Sequence, residues 1–132
     1  MTNGLTVELT MLLYSVILFF ILIAIPATES ILKNGLEAQA GARDSLPEPT
    51  TFNKRAVRLR NNLAENLLIF APLILIAHAA GISTGNTILG AQMFFFARVA
   101  HAVIYLAGWP WIRPLAWFIG VVGCIMIALA LL

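Results

Sequence analysis

Two short sets of polar residues stand inside otherwise apolar sequence. Arg58, Asn62 and Glu65 fall at i, i+4 and i+7, and Arg98, His101 and Tyr105 at i, i+3 and i+7. On helices, each set forms a stripe along one face. A carboxylate in a membrane helix costs roughly 2.5–3.5 kcal/mol at the bilayer centre on insertion scales, less near an end, so it stays where it has a partner. Arg113 adds another cation shortly after the second stripe. Arg58, Arg98 and Arg113 set against Glu65 leave a surplus of positive charge. The chemistry open to such a set is recognition of a small anion through charge-assisted hydrogen bonds.

Each of these residues also has a purely architectural reading. Glu65 and Arg98 could form a buried ion pair that fixes helix packing. Arg58 and Arg60 could be ordinary basic residues snorkelling to the headgroups. Asn61, Asn62 and Asn66 could join helices by hydrogen bonds, and His101 alone reads as a packing residue. The surplus charge is what tips the set as a whole toward an anion site.

The elements that position these residues follow from hydropathy. Of the 132 residues, 61% are hydrophobic and 11% charged, and the mean hydropathy is +0.93. A soluble domain of this length cannot hide that much apolar surface. The pattern predicts one membrane domain over residues 1–132, an all-α four-helix bundle with spans at about 5–27, 58–80, 87–107 and 113–132. No Lys or Arg precedes the first run, which is too long for the apolar core of a signal peptide; it reads as a retained helix, bent or ended near Pro26. The connection at about 28–54, with Gly35, Gly41, Pro47 and Pro49, reads as a frayed helical extension followed by a loop. The second helix runs from about Lys54 through Ala80, distorted at Pro72, and Asn86 is the expected cap of the third. Gly108-Trp109-Pro110-Trp111 separates the third helix from the fourth.

The formal charge of +2 is a weak signal for nucleic acid, and none is expected as a partner. Placement of the charge says more. Lys33, Arg43, Lys54, Arg55, Arg58 and Arg60 lie in or beside the first connection and Arg113 in the third, while the second connection and the amino-terminal flank have no Lys or Arg. The positive-inside rule then puts the first and third connections in the cytoplasm and both termini outside, in the inner membrane for a bacterial source. Trp109, Trp111 and Trp117 fit an interfacial aromatic belt. Both polar stripes and Arg113 would share the cytoplasmic half of the bilayer. The single cysteine, Cys124, excludes an internal disulfide and a Cys-based metal cluster, and no metal-ligand or nucleotide motif is present.

The two motifs, Arg58-x-x-x-Asn62-x-x-Glu65-Asn66 and Arg98-Val-x-His101-x-x-x-Tyr105-Leu106, together resemble the MAPEG family, the membrane-associated proteins of eicosanoid and glutathione metabolism. The resemblance covers length, four spans, the long first connection and both motifs. It implies a homotrimer of four-helix bundles with glutathione bound between subunits in the cytosolic half. Arg58, Asn62 and Glu65 would then bind the peptide, Glu65 facing its ammonium, with Arg98, His101 and Tyr105 adding hydrogen bonds. Arg113 would stabilise the thiolate, which would attack a lipophilic electrophile or lipid hydroperoxide arriving from the bilayer. The implied activity is that of a glutathione transferase or peroxidase, glutathione being a co-substrate. Pro114 follows Arg113 where several catalytic relatives have serine, and Leu68 stands where many have proline. The alternatives are a non-catalytic binder of a lipid or small anion at the same inter-subunit site, and a structural or transport component.

Overall fold

In the computed structural model, which describes residues 4–132, the chain forms four long helices and one short one. They are α1 (Val7–Asn34), α2 (Leu36–Ala40), α3 (Thr51–Ala79), α4 (Gly85–Ala107) and α5 (Arg113–Leu131). All four long helices are long and apolar enough to cross a membrane. Together they make an all-α integral membrane protein, as the hydropathy predicts.

Local chemistry sets the ends of the helices. The Thr6 hydroxyl accepts from the Leu9 N–H at 3.1 Å, and the Thr50 hydroxyl from the Asn53 N–H at 3.0 Å, so α1 and α3 start with side-chain caps. At α4 the cap is Thr84, in a reciprocal box with Thr87, and not the expected Asn86. Asn86 lies inside the first turn, where its side chain would sit past the free N–H groups. Helix α4 ends at Gly108, whose φ of 79° is the left-handed conformation glycine adopts without penalty.

The first helix does not end at Pro26, and the helical extension expected beyond it is formed. Helix α1 continues through it to Asn34, where Gly35 stops it at φ 88°. Most of the first half of the connection is therefore helical, and only the stretch from Gly41 to Thr50 is extended or turn-like. A proline removes one N–H and crowds the preceding turn, but it breaks a helix only when nothing else holds the segment. Here Asn53 Nδ2, from α3, donates to the Pro26 carbonyl at 3.0 Å and to Glu29 Oε1 at 2.8 Å, tying α1 to α3 at the proline and in the turn after it. Pro72 is likewise inside α3 without ending it. The remaining connection is held by Lys33 Nζ on the Glu48 carbonyl and by a 2.9 Å Lys54–Glu48 ion pair, which draws the exposed Glu48 carboxyl below its ordinary range.

Helix α4 is the central one: half of its apolar window is buried, against 22–28% for the others. Leu59, Leu63, Phe70 and Ile74 of α3 meet Phe94 of α4 and Ile127 of α5 in the core, and the Phe70 and Phe94 rings stack at 3.9 Å. Helices α4 and α5 touch backbone to backbone. A Cβ on Gly90 would lie 2.6 Å from the Gly123 carbonyl oxygen, and one on Gly123 would lie 2.5 Å from that of Gly90. Small residues allow this approach, the usual means of joining helices where lipid offers no hydrophobic drive. Outward residues such as Phe20 and Leu68 stay exposed, as a lipid-facing surface requires.

Candidate functional site

Tyr105, three residues before the Gly108 cap of α4, is the centre of the polar cluster. Its hydroxyl accepts a hydrogen bond from Arg58 Nε of α3 at 3.2 Å. The Arg113 guanidinium lies 4.9 Å above its ring, a cation–π contact from the first residue of α5. The His101 ring is 5.5 Å away, one turn earlier on α4. Three helices thus bring Arg58, His101, Tyr105 and Arg113 to one place, as their spacing anticipated.

A second contact lies deeper. Arg98 Nη2 donates to Asn62 Oδ1 at 2.7 Å, while Asn66 Nδ2 donates to the Asn62 carbonyl at 2.7 Å. Arg98 is 2% exposed, and its Nε and Nη1 have no hydrogen-bond partner. His101 Nδ1 is likewise buried and unsatisfied. The aliphatic part of Arg98 packs at Gly120 of α5, where a Cβ would sit 3.6 Å from Arg98 Cδ, an ordinary contact.

The ion pair between Glu65 and Arg98, one of the architectural readings, is not formed. The amide of Asn62 takes the place the carboxylate would have had, and Glu65 is exposed with no hydrogen bond or ion pair among the described residues. Helical rotation explains the difference. Asn62 and Glu65 are three residues apart, about 300° around the helix, so they share a face but not a direction. Among the described residues no carboxylate pairs with Arg58, Arg98 or Arg113, and the one ion pair is Lys54–Glu48.

Two supporting arrangements were not anticipated. Arg55, one helical turn before Leu59, packs against Gly108, where any Cβ would collide with its Nη1. It thereby places a cation at the carboxyl end of α4, where the helix dipole is negative. At the other end of the bundle, Glu8 is 2% exposed and its Oε2 accepts from the Thr87 hydroxyl at 2.6 Å. Glu8 is the one acidic residue in the first apolar run, and that isolation was the available signal.

Comparison with known proteins adds one finding. The model of the MAPEG family matches residues 9–132, nearly the whole chain. Nothing matches among curated proteins or among solved structures.

Proposed function

This chain belongs to the MAPEG family, and from that premise we propose that it is a glutathione-dependent transferase or peroxidase acting on lipophilic electrophiles or lipid hydroperoxides. The observation that carries the proposal is the set of three arginines, Arg58 and Arg113 at Tyr105 and Arg98 deeper on Asn62, none of them ion-paired with a carboxylate among the described residues. Glutathione has two carboxylates and one ammonium, and supplies the thiol. Arg58 and the free N–H groups of Arg98 suit its carboxylates, with Asn62 holding Arg98 in place. His101 and Tyr105 add hydrogen-bonding groups on the same side of α4.

Glu65 fits the ammonium, and its exposure in a single chain is consistent with a site completed by a second subunit of a homotrimer. Arg113 is the group assigned to the thiolate. A free thiol of pKa about 8.5 is mostly protonated at neutral pH, and each unit of depression requires about 1.4 kcal/mol of differential stabilisation. A guanidinium beside sulfur in a low-dielectric site supplies stabilisation of that kind. The thiolate then forms a C–S bond with an electrophile from the bilayer, whose leaving group departs with the bonding pair.

A ligand that binds only the folded protein must stabilise it, by about 2.7 kcal/mol at a hundred times its Kd. Glutathione and S-methyl glutathione are therefore expected to raise the melting temperature of the purified protein, and citrate is not. Absence of any shift with glutathione removes the proposal, and an equal shift with citrate reduces it to non-catalytic anion binding.

The same reading places the first and third connections, and with them the polar cluster, on the cytoplasmic side. Cysteines introduced at Ser45 and Ser83 are expected to react with an impermeant thiol reagent from opposite faces of the membrane. Labelling of both from one face contradicts this orientation.

A further inference from the structure

Helices α3 and α4 run in opposite senses, so their contacts fall in step. Phe70 meets Phe94, Asn62 meets Arg98, and Arg58 meets Tyr105. The next rung is Arg55 against Gly108, one turn further toward the end of α4. The Arg55 guanidinium carbon lies 3.6 Å from where a Gly108 Cβ would stand, and its Nη1 lies nearer still. Arg55 is half-buried, its Nε has no hydrogen-bond partner, and it forms no ion pair among the described residues. What it faces is the end of α4, where the helix dipole is negative and Pro110 has no N–H to give the Leu106 carbonyl.

The corner that leaves Gly108 carries Arg113. Residues 109–112 join the left-handed Gly108 to α5, whose first residue is Arg113. Little else fixes the start of that helix. Arg113, Pro114 and Leu115 are all exposed, and Ile112 makes no side-chain capping bond. The close approach of α4 and α5 at Gly90 and Gly123 lies in the far half of α5 and leaves its first turn unheld. Arg113 meets the polar cluster through the Tyr105 ring, 4.9 Å from its guanidinium. Its place therefore depends on the direction in which the chain leaves Gly108.

We infer that Arg55 is a positioning residue for the thiolate: by holding Gly108 it sets the course of the corner and keeps Arg113 over Tyr105, a role that rests on Arg113 being the group beside the sulfur. Arg55 acts through Gly108 and the corner, not on the ligand. A purely structural Arg55 has a different signature. Its loss would lower the melting temperature and leave the chemistry of the folded, saturated protein as it was. A residue that places Arg113 must weaken the thiolate in protein that stays folded and saturated, because charge stabilisation falls as the guanidinium moves away from the sulfur.

The test uses the full chain in detergent, saturated with glutathione, with thiolate absorbance followed against pH. Arg55→Met is expected to raise the pKa of the bound thiol by about one unit, a tenfold loss of thiolate well below that pKa, while half-saturation by glutathione stays within about twofold of the parent. Lys54→Gln, a basic change on the neighbouring residue, should leave the titration unmoved. Arg55→Lys keeps a cation at the helix end without the flat fork against Gly108; it should give a smaller rise, and it decides the matter if Arg55→Met does not fold. All three tryptophans, Trp109, Trp111 and Trp117, lie in or just after the corner, so their emission reports its place without any ligand. Arg55→Met should shift that emission and Lys54→Gln should not. A thiol titration in the Arg55 variants that matches the parent overturns the inference, as does an equal change in Lys54→Gln or an unmoved emission. Glutathione bound to the parent without a thiolate overturns the role of Arg113 and this inference with it, whereas a parent thiolate indifferent to Arg55 overturns this inference alone.

Discussion

Arg113→Ala is expected to retain much of the glutathione binding while losing the bound thiolate. If the guanidinium lowers the thiol by about two units, its removal costs about 2.7 kcal/mol, or a hundredfold in thiolate at neutral pH. Turnover should fall by a similar factor. Arg58→Ala and Glu65→Gln should fail in the other sense, weakening binding by about 1.5–3 kcal/mol for each charged partner lost and leaving the thiolate of the saturated protein intact. Ultraviolet thiolate absorbance and calorimetric binding, measured on all three variants, separate the two effects. Undiminished thiolate absorbance in Arg113→Ala would remove its assigned role. The cation–π contact with Tyr105 makes Arg113→Lys an informative companion, since it keeps the charge and gives up the planar stacking.

Asn62→Leu should be the most destabilising change in the cluster. It removes the one hydrogen bond of a guanidinium that is 2% exposed and already has two unsatisfied nitrogens. The expected loss is about 1.5–3 kcal/mol, as for a hydrogen bond to a charged group. Arg98→Met should cost less, because what it leaves without a partner is a neutral, half-buried amide and not a buried charge. The double variant should recover stability relative to Asn62→Leu, since no buried charge is then left unpaired. Thermal unfolding of the four proteins in one detergent gives the coupling energy directly, and strict additivity would show that the 2.7 Å contact contributes nothing.

The four helices were legible because each apolar run is long and its boundaries carry recognisable stops, above all Gly108. The gathering of Arg58, His101, Tyr105 and Arg113 was legible too. Stripes at helical spacing meet when one lies early on a helix and the other late on the helix that follows it back, as Arg58 does on α3 and Tyr105 on α4. The choice between Asn62 and Glu65 as the partner of Arg98 was not. It depends on the rotation of α3 about its axis, and both residues satisfy the same periodicity. What holds α1 together at Pro26 was hidden for a related reason. Its support is Asn53, 27 residues away, and no local pattern announces a long-range hydrogen bond.

Glu8 has a consequence for the order in which the protein is made. Its hydrogen-bond partner, Thr87, is 79 residues downstream. At ribosomal speeds of roughly 5–20 residues per second, about 4–16 s separate the synthesis of the two. Over that interval the first helix has a carboxylate with no side chain to receive it, and its outer end is better kept at the water boundary than seated in the bundle. Docking of that end therefore waits for the start of the third span to emerge. The first turn of α1 thus settles only after the start of α4 is made, and a nascent chain stalled before Thr87 would keep Glu8 accessible to solvent.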